Sequence, residues 1–179
     1  MRRDTYEAAV RRTLEYFDSA GIALTDEERA GVEVADFGLD DLERTGLQIM
    51  TYLNTQRCCA KELVLFPRQT CPEHRHPQIA GEPGKEETFR CRWGKVYIYL
   101  PGTPTDDPAC RPPQGDEHHY TVFREVALSP GEQCTLPPDT LHWFQAGPDG
   151  AIVSEFSTTS RDEADVFTDG RIQRVPMVE

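Results

Sequence analysis

The chain has 179 residues, enough for one domain with a real hydrophobic core. Its 19 basic and 31 acidic residues leave a formal charge of -12 and a pI of about 4.8. Such a surface repels nucleic acid and anionic membrane, and a small neutral or cationic substrate suits it better than a polyanion.

No apolar run approaches the roughly 18 residues a bilayer span needs. "MRRDTYEAAVRR" has no apolar segment behind its arginines, so no signal peptide is expected. Residues 4–20 read as an amphipathic helix, with Tyr6, Val10, Leu14 and Phe17 on one stripe. Asp4 with Glu7 resembles a capping box, as does Thr25 with Glu28 before a second short helix. Then the texture changes. "GLQIMTYLN", "CCAKELVLFP", "EETFRCRWG", "KVYIYLPG", "YTVFREVALSPG", "EQCTLPP", "LHWFQAG" and "GAIVSEFST" are short, rich in β-branched and aromatic residues, and punctuated by Gly, Pro or Asp. That spacing predicts an all-β antiparallel sandwich or barrel. Residues 101–119 are too rich in Pro, Gly and Asp for a strand and read as a long loop. The tail is expected to start as a short helix. The expected organisation is one domain over 1–179: helices in 1–31, a β-barrel over 45–158 and a tail over 159–179. Six cysteines without a C-x-x-C pair suggest free thiols and a cytoplasmic protein.

Only five histidines occur, and two of them, His74 and His76, sit one residue apart in "CPEHRHP". On a strand both would point to one face. Glu87 follows, six residues intervene, and Gly94 comes next; much later, His142 stands five positions after Pro137. The pattern resembles the two signature motifs of the cupin superfamily. The resemblance implies a β-barrel or jelly roll in which three histidines and a glutamate hold one divalent metal. Asp139 stands where that pattern usually has glycine, a substitution that turn conformations tolerate. The long insert after His76 leaves Glu86 as an alternative to Glu87, and the count to Gly94 selects Glu87. Three neutral imidazoles and a carboxylate suit Mn²⁺, Fe²⁺, Co²⁺, Ni²⁺ or Zn²⁺. His118 and His119 read as surface residues.

The words "NTQRCCAKELVLFPRQTCPEHRHP", "GKEETFRCRWGKVYIY", "LPPDTLHWFQAG" and "FTDGRI" are more specific. From about residue 20 to about 172 the chain resembles the D-lyxose ketol-isomerase family. The resemblance implies a Mn²⁺-dependent interconversion of D-lyxose and D-xylulose, with D-mannose and D-fructose often accepted. It also implies a catalytic glutamate at Glu155 and a catalytic lysine thirteen residues before the first histidine ligand, which is Lys61. The residues agree with both roles. Glu155 is a lone acid in an apolar strand, where burial favours the proton-holding form and makes a carboxylate a better base. Lys61 shares a strand face with Leu63 and Leu65, a costly place for a lysine without a use. Trp93, Tyr99, Phe144, Gln145, Asp165 and Arg171 are expected contacts for a monosaccharide, with Trp143 and Tyr120 as further aromatic or hydroxyl candidates. Cupins commonly pair through a sheet edge, so a homodimer is expected. A cupin oxygenase holding Fe²⁺ and a sugar-binding cupin without turnover are the rival readings, and neither gives Lys61 and Glu155 a joint acid–base role.

Overall fold

A computed structural model describes residues 1–175 and 177–179. Helix α1 spans Arg3–Ser19 and buries Ala9, Thr13 and Phe17, a four-residue spacing that turns one stripe onto the sheet. The expected Asp4–Glu7 capping box does not form: α1 starts after Arg2 with no side-chain cap. Asp4 Oδ1 accepts instead from the Thr5 amide, 2.7 Å, while the Arg3 amide donates to the Glu179 carbonyl, 2.8 Å. The helix begins one residue before Asp4, and the C-terminal tail satisfies the first of its free amides. Helix α2, Asp26–Ala30, does carry its Thr25–Glu28 capping box.

Among the described residues nine strands follow: β1 Glu33–Ala35, β2 Leu47–Asn54, β3 Cys59–Leu65, β4 Thr70–Arg75, β5 Glu87–Leu100, β6 Arg124–Leu128, β7 Gln133–Leu136, β8 His142–Ser157 and β9 Val166–Phe167. They form one curled antiparallel sheet, a cupin-like half-barrel. The two longest strands, β5 and β8, are its spine. On its other edge β8 meets β4 with its first half and β3 with its second. β5 carries β7 along its start and β6 along its end. The sheet reaches beyond 45–158 at both ends, through β1 and β9.

Two pairs of short strands expected from the sequence are each one long bent strand. "EETFRCRWG" and "KVYIYLPG" are joined in β5, and "LHWFQAG" and "GAIVSEFST" in β8. The glycines between them bend the ladder instead of ending it. Gly94 has φ +70°, and a Cβ there would stand 2.1 Å from the Gly150 carbonyl oxygen. Val96 pairs with Ala146 and Gly94 with Ala151, so residues 147–150 bulge from the ladder, where Pro148 is tolerated.

Two apolar layers flank the sheet. Its concave face holds Leu47, Ile49, Leu63, Phe89, Phe144 and Val153; its outer face packs Met50, Val64, Phe66 and Ile152 beneath Phe17 of α1. The 101–123 segment, irregular apart from a helical turn at Glu117–His119, covers a third cluster. There Tyr99 stacks on Trp143 with ring centroids 3.9 Å apart, and Tyr120 meets Trp143 edge-on. Among the described residues no helix is long and apolar enough to cross a membrane.

Candidate metal centre and active site

The curl brings three strand ends together. His74 lies near the end of β4 directly opposite His142, the first residue of β8, and Glu87 opens β5. His76 follows β4 on the same face as His74. One ring nitrogen from each of His74, His76 and His142 lies within 4.8 Å of the others, and all three side chains are buried. Glu87 Oε1 is 3.2 Å from Nε2 of both His76 and His142. Glu86 is exposed on the other face, its amide donating to Thr158 Oγ1. Asp139 adopts the left-handed conformation its position requires, φ 60°, and pairs with Arg75 at 2.5 Å.

Each imidazole is oriented through Nδ1. That atom lies 2.8 Å from the Pro72 carbonyl in His74, 2.9 Å from the Thr140 carbonyl in His142 and 2.5 Å from Asp165 Oδ1 in His76. Such contacts set the ring and aim Nε2 inward. Burial and the neighbouring imidazoles hold His74 well below its ordinary pKa, and burial lowers His142 too, so both are neutral. Burial also presses on His76, but Glu87 and Asp165 outweigh it and raise its pKa to about 9. Nε2 of His76 and of His142 is buried without an aligned hydrogen bond, since Glu87 is close to both but bonded well to neither. Two orphaned imidazole nitrogens facing a buried carboxylate fit a divalent cation.

Beside this cluster lies a second group of buried charged side chains. Lys61 and Glu155 are directly opposed on β3 and β8, both facing the concave side. Glu155 Oε1 accepts from Lys85 Nζ at 3.0 Å, and the same ammonium is 2.9 Å from Glu87 Oε2. Lys85 therefore bridges the carboxylate at the metal cluster to the one on β8. Burial opposes its charge, but Glu155 and Glu87 prevail and lift its pKa well above the ordinary range. The sequence reading passed over Lys85. The available signal was its parity: it stands two residues before Glu87 and shares its face. Gly84 makes the approach possible, because a Cβ there would lie 1.9 Å from the His76 carbonyl oxygen. Lys61 is held on the other side by Ser160 Oγ, 2.9 Å, and Asp162 Oδ2, 2.6 Å, with Arg174 behind Asp162 at 2.9 Å.

Lys61, Lys85, Glu87, Glu155, His74 and His76 line one cavity together with Asp162, Asp165 and Arg174, and Phe37, Leu63, Phe89, Phe144 and Phe167 give it an apolar wall. An outer cleft shares His76, Lys85 and Asp165 with it.

Of the expected sugar contacts, Phe144 and Asp165 reach this cavity, and Asp165 is engaged with His76. The other four are seated elsewhere. Trp93 lies under α1, edge-on to Tyr16. Tyr99 is beneath the 101–123 segment, its hydroxyl donating to Glu125 Oε2 at 2.6 Å. Gln145 spends its amide protons on Thr70 Oγ1 and the Arg111 carbonyl. Arg171 clasps Asp169 and Asp116 at the surface. Packing demand and local ion pairs claimed these side chains, and strand parity alone does not reveal that.

Fold and site together define a cupin-like protein with a buried cluster of three histidines suited to a divalent cation, and a buried carboxylate beside it. The family model described as D-lyxose isomerase matches residues 102–179. A D-lyxose/D-mannose isomerase of Thermosediminibacter oceani is 63% identical over 168 residues, covering 94% of this chain and 93% of its own. A D-lyxose ketol-isomerase of Cohnella laeviribosi is 59% identical over 179 residues, covering 100% and 98%. The chain belongs to the D-lyxose isomerase family. Among solved structures, L-ribose isomerase of Cellulomonas parahominis shares the fold with a TM-score of 0.82 over 100% of this chain and 98% of its own, at 17% identity.

Proposed function

We propose that the chain is a metal-dependent aldose–ketose isomerase that interconverts D-lyxose and D-xylulose, and D-mannose and D-fructose, by proton transfer through a cis-enediol. The observation that carries this reading is Lys85, whose one buried ammonium joins Glu87 of the histidine cluster to Glu155 across the same cavity. His74, His76, His142 and Glu87 would hold the cation, read here as Mn²⁺. When bound, it supplies a Lewis acid for the oxygens on C1 and C2 of the sugar.

The rest is work for the protein's own side chains. Glu155 takes the proton from C2 of the aldose and returns it to C1. Lys61 gives a proton to O1 as the enediol forms and recovers one from O2 as the ketose forms, so the protein ends as it began. Asp162, kept well below the ordinary carboxylate range by Lys61, Lys85 and Arg174 despite its burial, secures the ammonium of Lys61. Lys85 keeps the Glu155 carboxylate oriented, and the apolar wall excludes water from the carbon acid.

An assay of D-lyxose and D-mannose with and without added Mn²⁺ tests the reading. Ketose should form only with metal, and without oxygen uptake. Sugar binding with no ketose from either aldose would favour a sensor, and oxygen consumption an oxygenase.

The six free cysteines support a cytoplasmic protein. We propose that the homodimer pairs through a sheet face, and not through the edge that the cupin resemblance implies. Beyond the area α1 covers, the outer face exposes Phe156, Tyr52 and Leu53. It also buries Glu62 with Oε2 unpartnered, 4.0 Å on its other oxygen from the half-exposed Arg92. A two-fold copy could set the arginine of each chain against the glutamate of the other. Light scattering should give a two-chain mass that Phe156→Glu reduces to one; an unchanged mass removes this face.

A further inference from the structure

Phe37 is the one aromatic residue with positive φ among the described residues. With φ 55°, followed by Gly38 at φ 73°, it fills the two central positions of a turn closed by the Leu39 amide on the Asp36 carbonyl at 3.0 Å. Positive φ at both central positions is the type I′ pattern, in which Asn-Gly is favoured and a bulky side chain is strained. Phe37 holds this conformation against its own steric preference. The surroundings enforce it. Asp36 Oδ1 accepts from the Gly38 amide at 3.0 Å, and the Phe37 carbonyl accepts from the Gln173 amide of the C-terminal tail at 2.9 Å.

The turn itself has no use for an aromatic ring, so the reason lies where the ring goes. It is buried, lines the cavity that contains Glu155 and Lys61, and sits 5.7 Å from Phe167, whose ring stacks on His74 at 5.3 Å. The histidine cluster, Lys61 and Glu155 fix where C1 and C2 of a sugar must lie to react. The cavity beside them holds only about 30 Å³ and shares His76, Lys85 and Asp165 with the outer cleft, whereas Phe37 lines the inner part alone. Its ring therefore limits how far the rest of a sugar can enter.

We propose that Phe37 is a specificity-determining residue whose ring closes the far end of the sugar cavity and sets the balance between five- and six-carbon aldoses. The proposal rests on the isomerase reading above. An added carbon against a filled apolar wall is discriminated by roughly 10–200-fold, so trimming the wall should relax the selection.

The test compares kcat/KM for D-lyxose and D-mannose in the Mn²⁺-loaded wild type, Phe37→Leu and Phe37→Gly. The second variant removes the ring and relieves the backbone together. The D-mannose to D-lyxose ratio should rise about tenfold or more in both variants. Phe66→Leu, a core truncation beneath α1 on the opposite face of the sheet, should lose stability and leave the ratio unchanged. A ratio within twofold of wild type in both folded, metal-loaded Phe37 variants overturns the proposal, as does an equal rise in Phe66→Leu. Wild type that converts neither aldose sinks the isomerase reading on its own. Calorimetric binding of the unreactive alditols D-arabinitol and D-mannitol then reads the same size selection, and an unchanged affinity ratio in the Phe37 variants again overturns it.

Discussion

Glu155→Gln is expected to retain fold and metal while losing turnover of D-lyxose by at least about 100-fold, the scale of general acid–base catalysis. Glutamine keeps the shape of the side chain and an oxygen that can accept from Lys85, so the cavity wall on β8 stays in place. It has no basic carboxylate to carry a proton from C2 to C1. The four residues of the metal cluster are untouched, and elemental analysis of the variant should match wild type. Lys61→Ala should fall in the same direction, since Ser160 and Asp162 hold the ammonium that the proposed mechanism uses as proton donor and alanine supplies none. A kcat for Glu155→Gln near the wild-type value would remove that carboxylate from the mechanism.

The second large effect concerns metal content. His76→Ala and His142→Ala each delete one of three imidazoles whose ring nitrogens converge within 4.8 Å. Outer partners of a metal ligand are worth about 10–100-fold in affinity, so loss of a ligand should exceed about 100-fold. Protein purified in the presence of Mn²⁺ and then dialysed should carry close to one ion per chain as wild type and almost none as either variant. Full occupancy in both would refute the ligand set. Glu87→Gln should join them and Glu86→Gln should not, because only the former carboxylate lies 3.2 Å from two imidazoles.

Residues whose placement follows from strand parity were legible in the sequence. His74 and His76 share a face because they are two apart, and Lys61 and Glu155 stand out because a charge on an apolar face needs a reason. The barrel class followed from short strands at even spacing. The fusion of four strands into β5 and β8 did not, because Gly94 and the 147–150 bulge look like stops when only one strand of a crossing pair is in view. The Asp4–Glu7 box is absent because α1 begins at Arg3 and takes Asp4 into its first turn, where the tail satisfies the Arg3 amide by a contact between opposite ends of the chain. Lys85 and Phe37 were missed for different reasons. One sits in a Gly-Pro-rich loop just before β5, which hides the parity it shares with Glu87, and the other breaks the turn preference by which its neighbourhood would be read. Trp93 and Tyr99 carried chemistry suited to a sugar, but large aromatic rings are claimed first by packing.

Proton transfer by Glu155 between adjacent carbons is the central claim, and hydrogen exchange reads it most directly. A proton resting on a carboxylate can exchange with solvent before it is returned, whereas a hydride passed between carbons does not. D-lyxose incubated with the Mn²⁺-loaded protein in D₂O, with oxygen excluded, should yield D-xylulose with deuterium at C1. D-xylulose that carries no deuterium at C1 after many forward and reverse turnovers, or no ketose at all, would contradict the account.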